Sequence, residues 1–181
     1  MSLKKFFGIL CLLAFIILPT NRLEAVPSVA VLPFDNKSAR QTTESLEDIF
    51  DGVRENVETD IVRTGKFQPV PRNPEAMQKI FDLMKFDHSG AVDISTAAQY
   101  GKLVGAQYLV LGTVTGLSKK GNELIAHLSL RMVEVETARI FLAGRGSGKS
   151  KGDVYEALEK AAEDALNGKR GMLTMMRGGK K

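Results

Sequence analysis

The stretch GAQYLVLGTVTGLSKKGNELIAHLSLRMVEV, residues 105–135, decides the fold. Tyr108, Leu109, Val110 and Leu111 lead into Thr113, Val114 and Thr115, a run rich in β-branched and aromatic residues and too short for a typical globular helix, which predicts a buried strand. Lys119, Lys120, Gly121 and Asn122 supply a turn. Beyond it Leu124, Ala126, Leu128, Leu130 and Met132 alternate with Ile125, His127, Ser129, Arg131 and Val133, so a partner strand carries one apolar and one mostly polar face. A second turn at residues 136–139 leads to Ile140, Phe141, Leu142 and Ala143, a third strand, which Gly144, Gly146 and Gly148 are expected to interrupt. Three successive antiparallel strands form a meander, and the rest of the chain has to cover it.

Upstream, Val29 to Phe34 is a short apolar run ended by the turn formers Asp35, Asn36, Lys37 and Ser38, and predicts a central strand. Leu46, Ile49, Phe50, Val53, Val57 and Ile61 recur at three- and four-residue spacing between Glu44 and Gly65, the pattern of an amphipathic helix. Pro69 and Pro71 assign the next strand to a sheet edge, because proline cannot donate to a ladder. Asn73 and Pro74 start a second helix, striped by Met77, Ile80, Phe81 and Met84, and a third runs from about Ser95 to Val104. After the meander, Val154, Leu158, Ala161, Ala162 and Ala165 define a last helix. The expected fold is α/β of the α+β kind: a single mixed sheet in the order β-α-β-α-α-β-β-β-α, with the helices packed on it.

At 181 residues the chain suits one ordinary domain. Lys4 and Lys5 precede an apolar run from Phe6 to Leu18, then Pro19 and Leu23, Glu24, Ala25, which reads as a secretory signal peptide over residues 1–25, cleaved after Ala25. The alternative is a lipid on Cys11, the only cysteine; Leu10 stands before it where a lipoprotein signal needs a small residue. The domain then covers residues 26–168 and a basic, flexible tail residues 169–181. Of 25 Lys and Arg and 21 Asp and Glu, Lys4, Lys5, Arg22 and Glu24 belong to the signal, and Lys169, Arg170, Arg177, Lys180 and Lys181 to the tail. The body keeps 17 basic against 20 acidic residues, which leaves no electrostatic footprint for a nucleic acid.

No catalytic, cofactor or metal set emerges. AGRGSGKS, residues 143–150, imitates a phosphate loop, but Ala143 stands where the first glycine belongs and Lys151, Gly152 and Asp153 separate Ser150 from the next helix. His88 and His127 have no ligand partners at metal spacing. Partner binding is expected instead at the strand-end loop, through Asp35, Asn36, Lys37 and Arg40, and in the tail, through Lys169, Arg170 and Arg177. Basic residues mixed with Met172, Leu173, Met175 and Met176 suit a peripheral membrane contact, while the four glycines at 168, 171, 178 and 179 argue against a helix.

The blocks VAVLPFDNKS (29–38), TGKFQPVPR (64–72), SGAVDISTAAQYGKLVGAQYLVLGTVTGL (89–117) and LSLRMVEVETARI (128–140) resemble the CsgG family of curli assembly and transport components, whose fold is similar to the penicillin-binding-protein activator LpoB and the amino-terminal domain of TolB. The resemblance implies a non-enzymatic periplasmic protein without cofactor, at times outer-membrane associated. Its partners would be other envelope proteins, with homo-oligomers among the implied states, and its role an adaptor in envelope assembly or secretion. The alternatives are an outer-membrane secretion channel of the curli type and a lipoprotein activator of peptidoglycan synthase.

Overall fold

The computed structural model describes residues 25–38, 44–70, 75, 79 and 94–178. Their order is β1 (Ser28–Val31), β2 (Asp35–Asn36), α1 (Glu44–Arg63), β3 (Gln68–Pro69), α2 (Ile94–Val104), β4 (Tyr108–Lys120), β5 (Glu123–Glu134), β6 (Arg139–Ser150), α3 (Val154–Asn167) and α4 (Met172–Gly178). The six strands form one mixed sheet in the order β3-β1-β4-β5-β6, with β2 beside β4. β1 runs parallel to both β3 and β4, and β4, β5 and β6 are the antiparallel meander. The helix expected from Asn73 falls largely outside the described residues, as do residues 1–24.

Helices cover both faces at the β1 side, which is why β4 opens as a continuous apolar run rather than an alternation. On one face Val53, Val57 and Ile61 of α1 and Leu158, Ala161 and Leu166 of α3 pack on Val29, Val110, Leu128, Leu130 and Met132. On the other, Ala97 and Tyr100 of α2 meet Ala30, Leu32, Leu109, Leu111 and Val133. α2 stops where Gly105 takes a left-handed φ of 72°, and Ala106 N–H then donates to the Gly101 carbonyl at 2.9 Å, a Schellman closure. Gly121, at φ 62°, makes the two-residue turn between β4 and β5, the conformation a primed hairpin turn requires at its first position.

Two expectations change. The glycines of β6 do not interrupt it: the strand continues to Ser150, with Gly144, Gly146 and Gly148 opposite Leu130, Leu128 and Ala126. A Cβ at any of the three would overlap a backbone carbonyl oxygen of α3, that of Ala165, Ala161 or Ala157 respectively, so the missing side chains let helix and strand meet backbone to backbone. The segment Met172–Gly178 is also helical, against the expectation drawn from the glycines around it. Gly171 precedes the short helix α4, which buries Met172 and Leu173 in the main core.

Candidate protein-binding surface

Among the described residues, β5 and β6 leave their polar face uncovered, because α2 packs only at the β1 side of it. Outward on β5 lie His127, Ser129 and Arg131; outward on β6 lie Arg145, Ser147 and Lys149. Cross-strand pairing sets Ser129 opposite Arg145 and His127 opposite Ser147, which leaves Arg131 and Arg145 as diagonal neighbours. Lys149 reaches Glu123 at 3.4 Å. Arg131, Arg145 and Lys149, with Lys37 beside them, outnumber Glu123 and Asp35, so this strand face is net basic, and its guanidinium groups offer planar donors that pair with carboxylates.

The loop after β1 joins this face. Phe34 plugs into the core where Gly112 has no side chain, and this fixes the next residues against β4. Asp35 and Asn36 then pair with Thr113 and Val114, and Lys37 N–H donates to the Val114 carbonyl at 2.9 Å. The Asn36 Oδ1 accepts from Ser38 N–H at 3.0 Å and from Ser38 Oγ at 2.6 Å. Turn chemistry is present, but within a strand-paired segment rather than a free loop. Burial pushes the Asp35 carboxyl above the ordinary carboxylate range; Lys37, at 3.8 Å, the Asn36 backbone N–H and the Arg131 charge pull it partly back. Asp35 and Arg131 therefore share one electrostatic neighbourhood. Arg131 and Arg145 were legible only as polar positions of alternating strands.

The remaining expected site residues do not join them. Lys169 and Arg170 are exposed in the turn after α3, whose last residues lie over Gly144 on the opposite face of the sheet. Arg40 and the side chain of Arg177 lie outside the described residues, and His88 does too. The phosphate-loop imitation is extended strand, and the Ser147 N–H that would face a phosphate donates instead to Asp164 Oδ2 of α3 at 3.0 Å. The Lys149 carbonyl accepts from Lys160 Nζ at 3.2 Å, so α3 also occupies part of the free edge of β6. Among the described residues, no cluster of three or more His, Cys, Asp or Glu could hold a metal. A groove of about 660 Å³ between α1 and α3 is a helix seam, bridged by Asn56, which donates to Tyr155 Oη at 2.9 Å and Glu159 Oε1 at 3.1 Å.

A model of the family described as peptidoglycan-synthase activator LpoB matches residues 16–147, well over half of the chain. That match corrects the resemblance to the CsgG family and the curli reading drawn from it. The blocks that carried the resemblance fall on β1 with its loop, β3, the α2–β4 segment and β5, the segments that build the sheet. No curated protein matches the chain. Among solved structures, the PelC dodecamer from Paraburkholderia phytofirmans is similar in fold, with TM-score 0.51 and 12% identity over 80% of this chain and 88% of that one. The LpoB C-terminal domain from Escherichia coli gives TM-score 0.45 and 18% identity over 67% and 82%. The lipoprotein GNA1162 from Neisseria meningitidis gives 0.46 and 16% over 68% and 83%.

Proposed function

The chain belongs to the LpoB family, and from that membership we propose that it is an exported, non-enzymatic cell-envelope protein that binds a peptidoglycan synthase and activates it. The observation that supports a binding role is the cationic strand face of Arg131 and Arg145, with Asp35 held beside it by the β2–β4 pairing. A paired sheet presents these side chains without a backbone ordering cost, and its arginines offer planar donors to carboxylates on the synthase. Export rests on the signal-like residues 1–25, with processing after Ala25 or lipidation of Cys11 as the two forms that intact mass distinguishes.

The test is direct. The exported chain is mixed with a bifunctional peptidoglycan synthase of the same envelope, and binding and the rate of glycan polymerisation are measured. The expected result is a complex and a faster rate, with Arg131→Glu plus Arg145→Glu weakening binding by about tenfold or more at unchanged folding. Full binding by that double variant would remove this face from the reading, and no rate change by a bound parent chain would remove activation.

A further inference from the structure

Among the described residues, the large apolar side chains left exposed are Val26, Leu103, Ile140, Phe141 and Met175, at 42–62% of their full area. All five lie at one end of the sheet. Val26 stands just before β1, whose Val29 pairs with Tyr108, the first residue of β4. Tyr108 pairs with Glu134 and Glu134 with Arg139, so Ile140 and Phe141 open β6 at that same level. Leu103 is in the last turn of α2, beside Gly105, whose carbonyl accepts from Ser28 Oγ at 3.2 Å. Met175 belongs to α4, whose Leu173 lines the groove with Arg63 and Thr64 at the C-terminal end of α1, the end that leads through Phe67 into β3 beside Ser28. Single exposed apolar residues are ordinary, but their confinement to one end is not.

Phe141 is also held firmly. Its ring sits 5.2 Å from that of Tyr108, which in turn stands edge-on at 5.5 Å to the buried Phe67. Around these residues Lys66, Lys102, Arg139, Lys169 and Arg170 are exposed, while the turn contributes Glu134 and Glu136. Lysine is depleted from the centres of protein interfaces, whereas aromatic and sulfur-containing apolar groups among lysine and arginine suit a headgroup layer. The apolar run of residues 6–18 leads into the same end, and the chain from Leu18 to Ser28 spans at most about 35 Å when extended. In the form lipidated at Cys11, the anchored segment enters the domain at this end.

We propose that this end lies against an anionic phospholipid surface, with Ile140, Phe141 and Met175 entering the headgroup layer and Arg139, Lys169 and Arg170 meeting lipid phosphates. The strand face of Arg131 and Arg145 then stands roughly upright on the membrane, open to a partner. The orientation does not depend on which envelope protein binds there.

The absence of tryptophan from the sequence makes an introduced one a site-specific reporter. The exported full chain is prepared as Phe141→Trp and, at the opposite end in the β4–β5 turn, as Asn122→Trp. Each is mixed with phosphatidylcholine vesicles with and without phosphatidylglycerol, including vesicles with brominated acyl chains. The expected result is a blue shift and bromolipid quenching of Phe141→Trp on phosphatidylglycerol vesicles, with Asn122→Trp unmoved. Adding Lys169→Glu and Arg170→Glu to Phe141→Trp should lower that binding by about tenfold or more. An unmoved Phe141→Trp signal on a chain that sediments with the vesicles would overturn the proposal. So would a blue shift that arises without lipid and grows with protein concentration, which would assign this end to a second copy of the chain.

Discussion

The two sides of β6 follow opposite rules within one strand. Toward the helices it presents Leu142, Gly144, Gly146, Gly148 and Ser150, and away from them Ala143, Arg145, Ser147 and Lys149. On the inner side the glycines bring α3 so close that its alanines, Ala157, Ala161 and Ala165, lie fully buried against strand backbone. On the outer side none of the described residues of a helix packs against β6, and Arg145, Ser147 and Lys149 are exposed. One face of the strand is specified by the absence of side chains and the other by their charge. Stability is thereby assigned to one set of alternate residues and the proposed recognition to the other, and each is expected to change without the other.

The largest effect is expected from placing the same side chain on both faces. Gly146→Val forces a branched side chain into the Ala161 carbonyl and the α3 backbone, and should cost about 3 kcal/mol or more, lowering Tm by roughly 10 °C. Ser147→Val, one residue on, should stay within about 0.5 kcal/mol of the parent. Thermal unfolding of the pair measures the contrast, and equal losses would mean that the helix does not lie where the glycines place it.

A smaller effect concerns the edge, where the two faces meet. Asp164→Ala removes the acceptor of the Ser147 N–H and should cost about 1 kcal/mol in denaturant unfolding. It also opens a backbone donor on an edge strand, so sedimentation velocity should show more self-association than for the parent, with Asp164→Asn restoring most of the monomer.

The smallest effect is on pH dependence. The folded value of Asp35 lies above that of the unfolded chain, so on acidification the native state takes up this proton first. The contribution of Asp35 to stability therefore rises as pH falls through its raised value and is lost again above it. Asp35→Asn should be at least as stable as the parent at neutral pH. Its stability should also gain less between neutrality and the ordinary carboxylate range, as read from denaturant midpoints across a pH series.

Much of the fold was legible because burial on a sheet has a period of two and burial on a helix a period near four. Leu124 to Met132 and Leu46 to Ile61 show those periods directly, and Pro69 marked its strand as an edge. β6 was less legible, since alternate glycines are equally the mark of a weak strand end and of a close backbone approach. Which meaning applies depends on α3, whose contacting alanines lie nine to twenty-one residues further on. The candidate surface was half legible. Asp35 and Lys37 stood out as a strand-end loop, but Arg131 and Arg145 looked like any polar position on a half-buried strand.

Taken alone, the sequence determined β1, β3, the meander and the helices α1, α2 and α3 in their order within one mixed sheet, because these follow from local periodicity, turn chemistry and composition. The tertiary structure decided that the glycines of β6 form a packing seam, that Asp35 falls within reach of the Arg131 charge, and that residues 26, 103, 140, 141 and 175 come together at one end. Each of these is a relation between residues far apart in the chain, and strand register and helix docking, which local preference does not encode, bring them into contact.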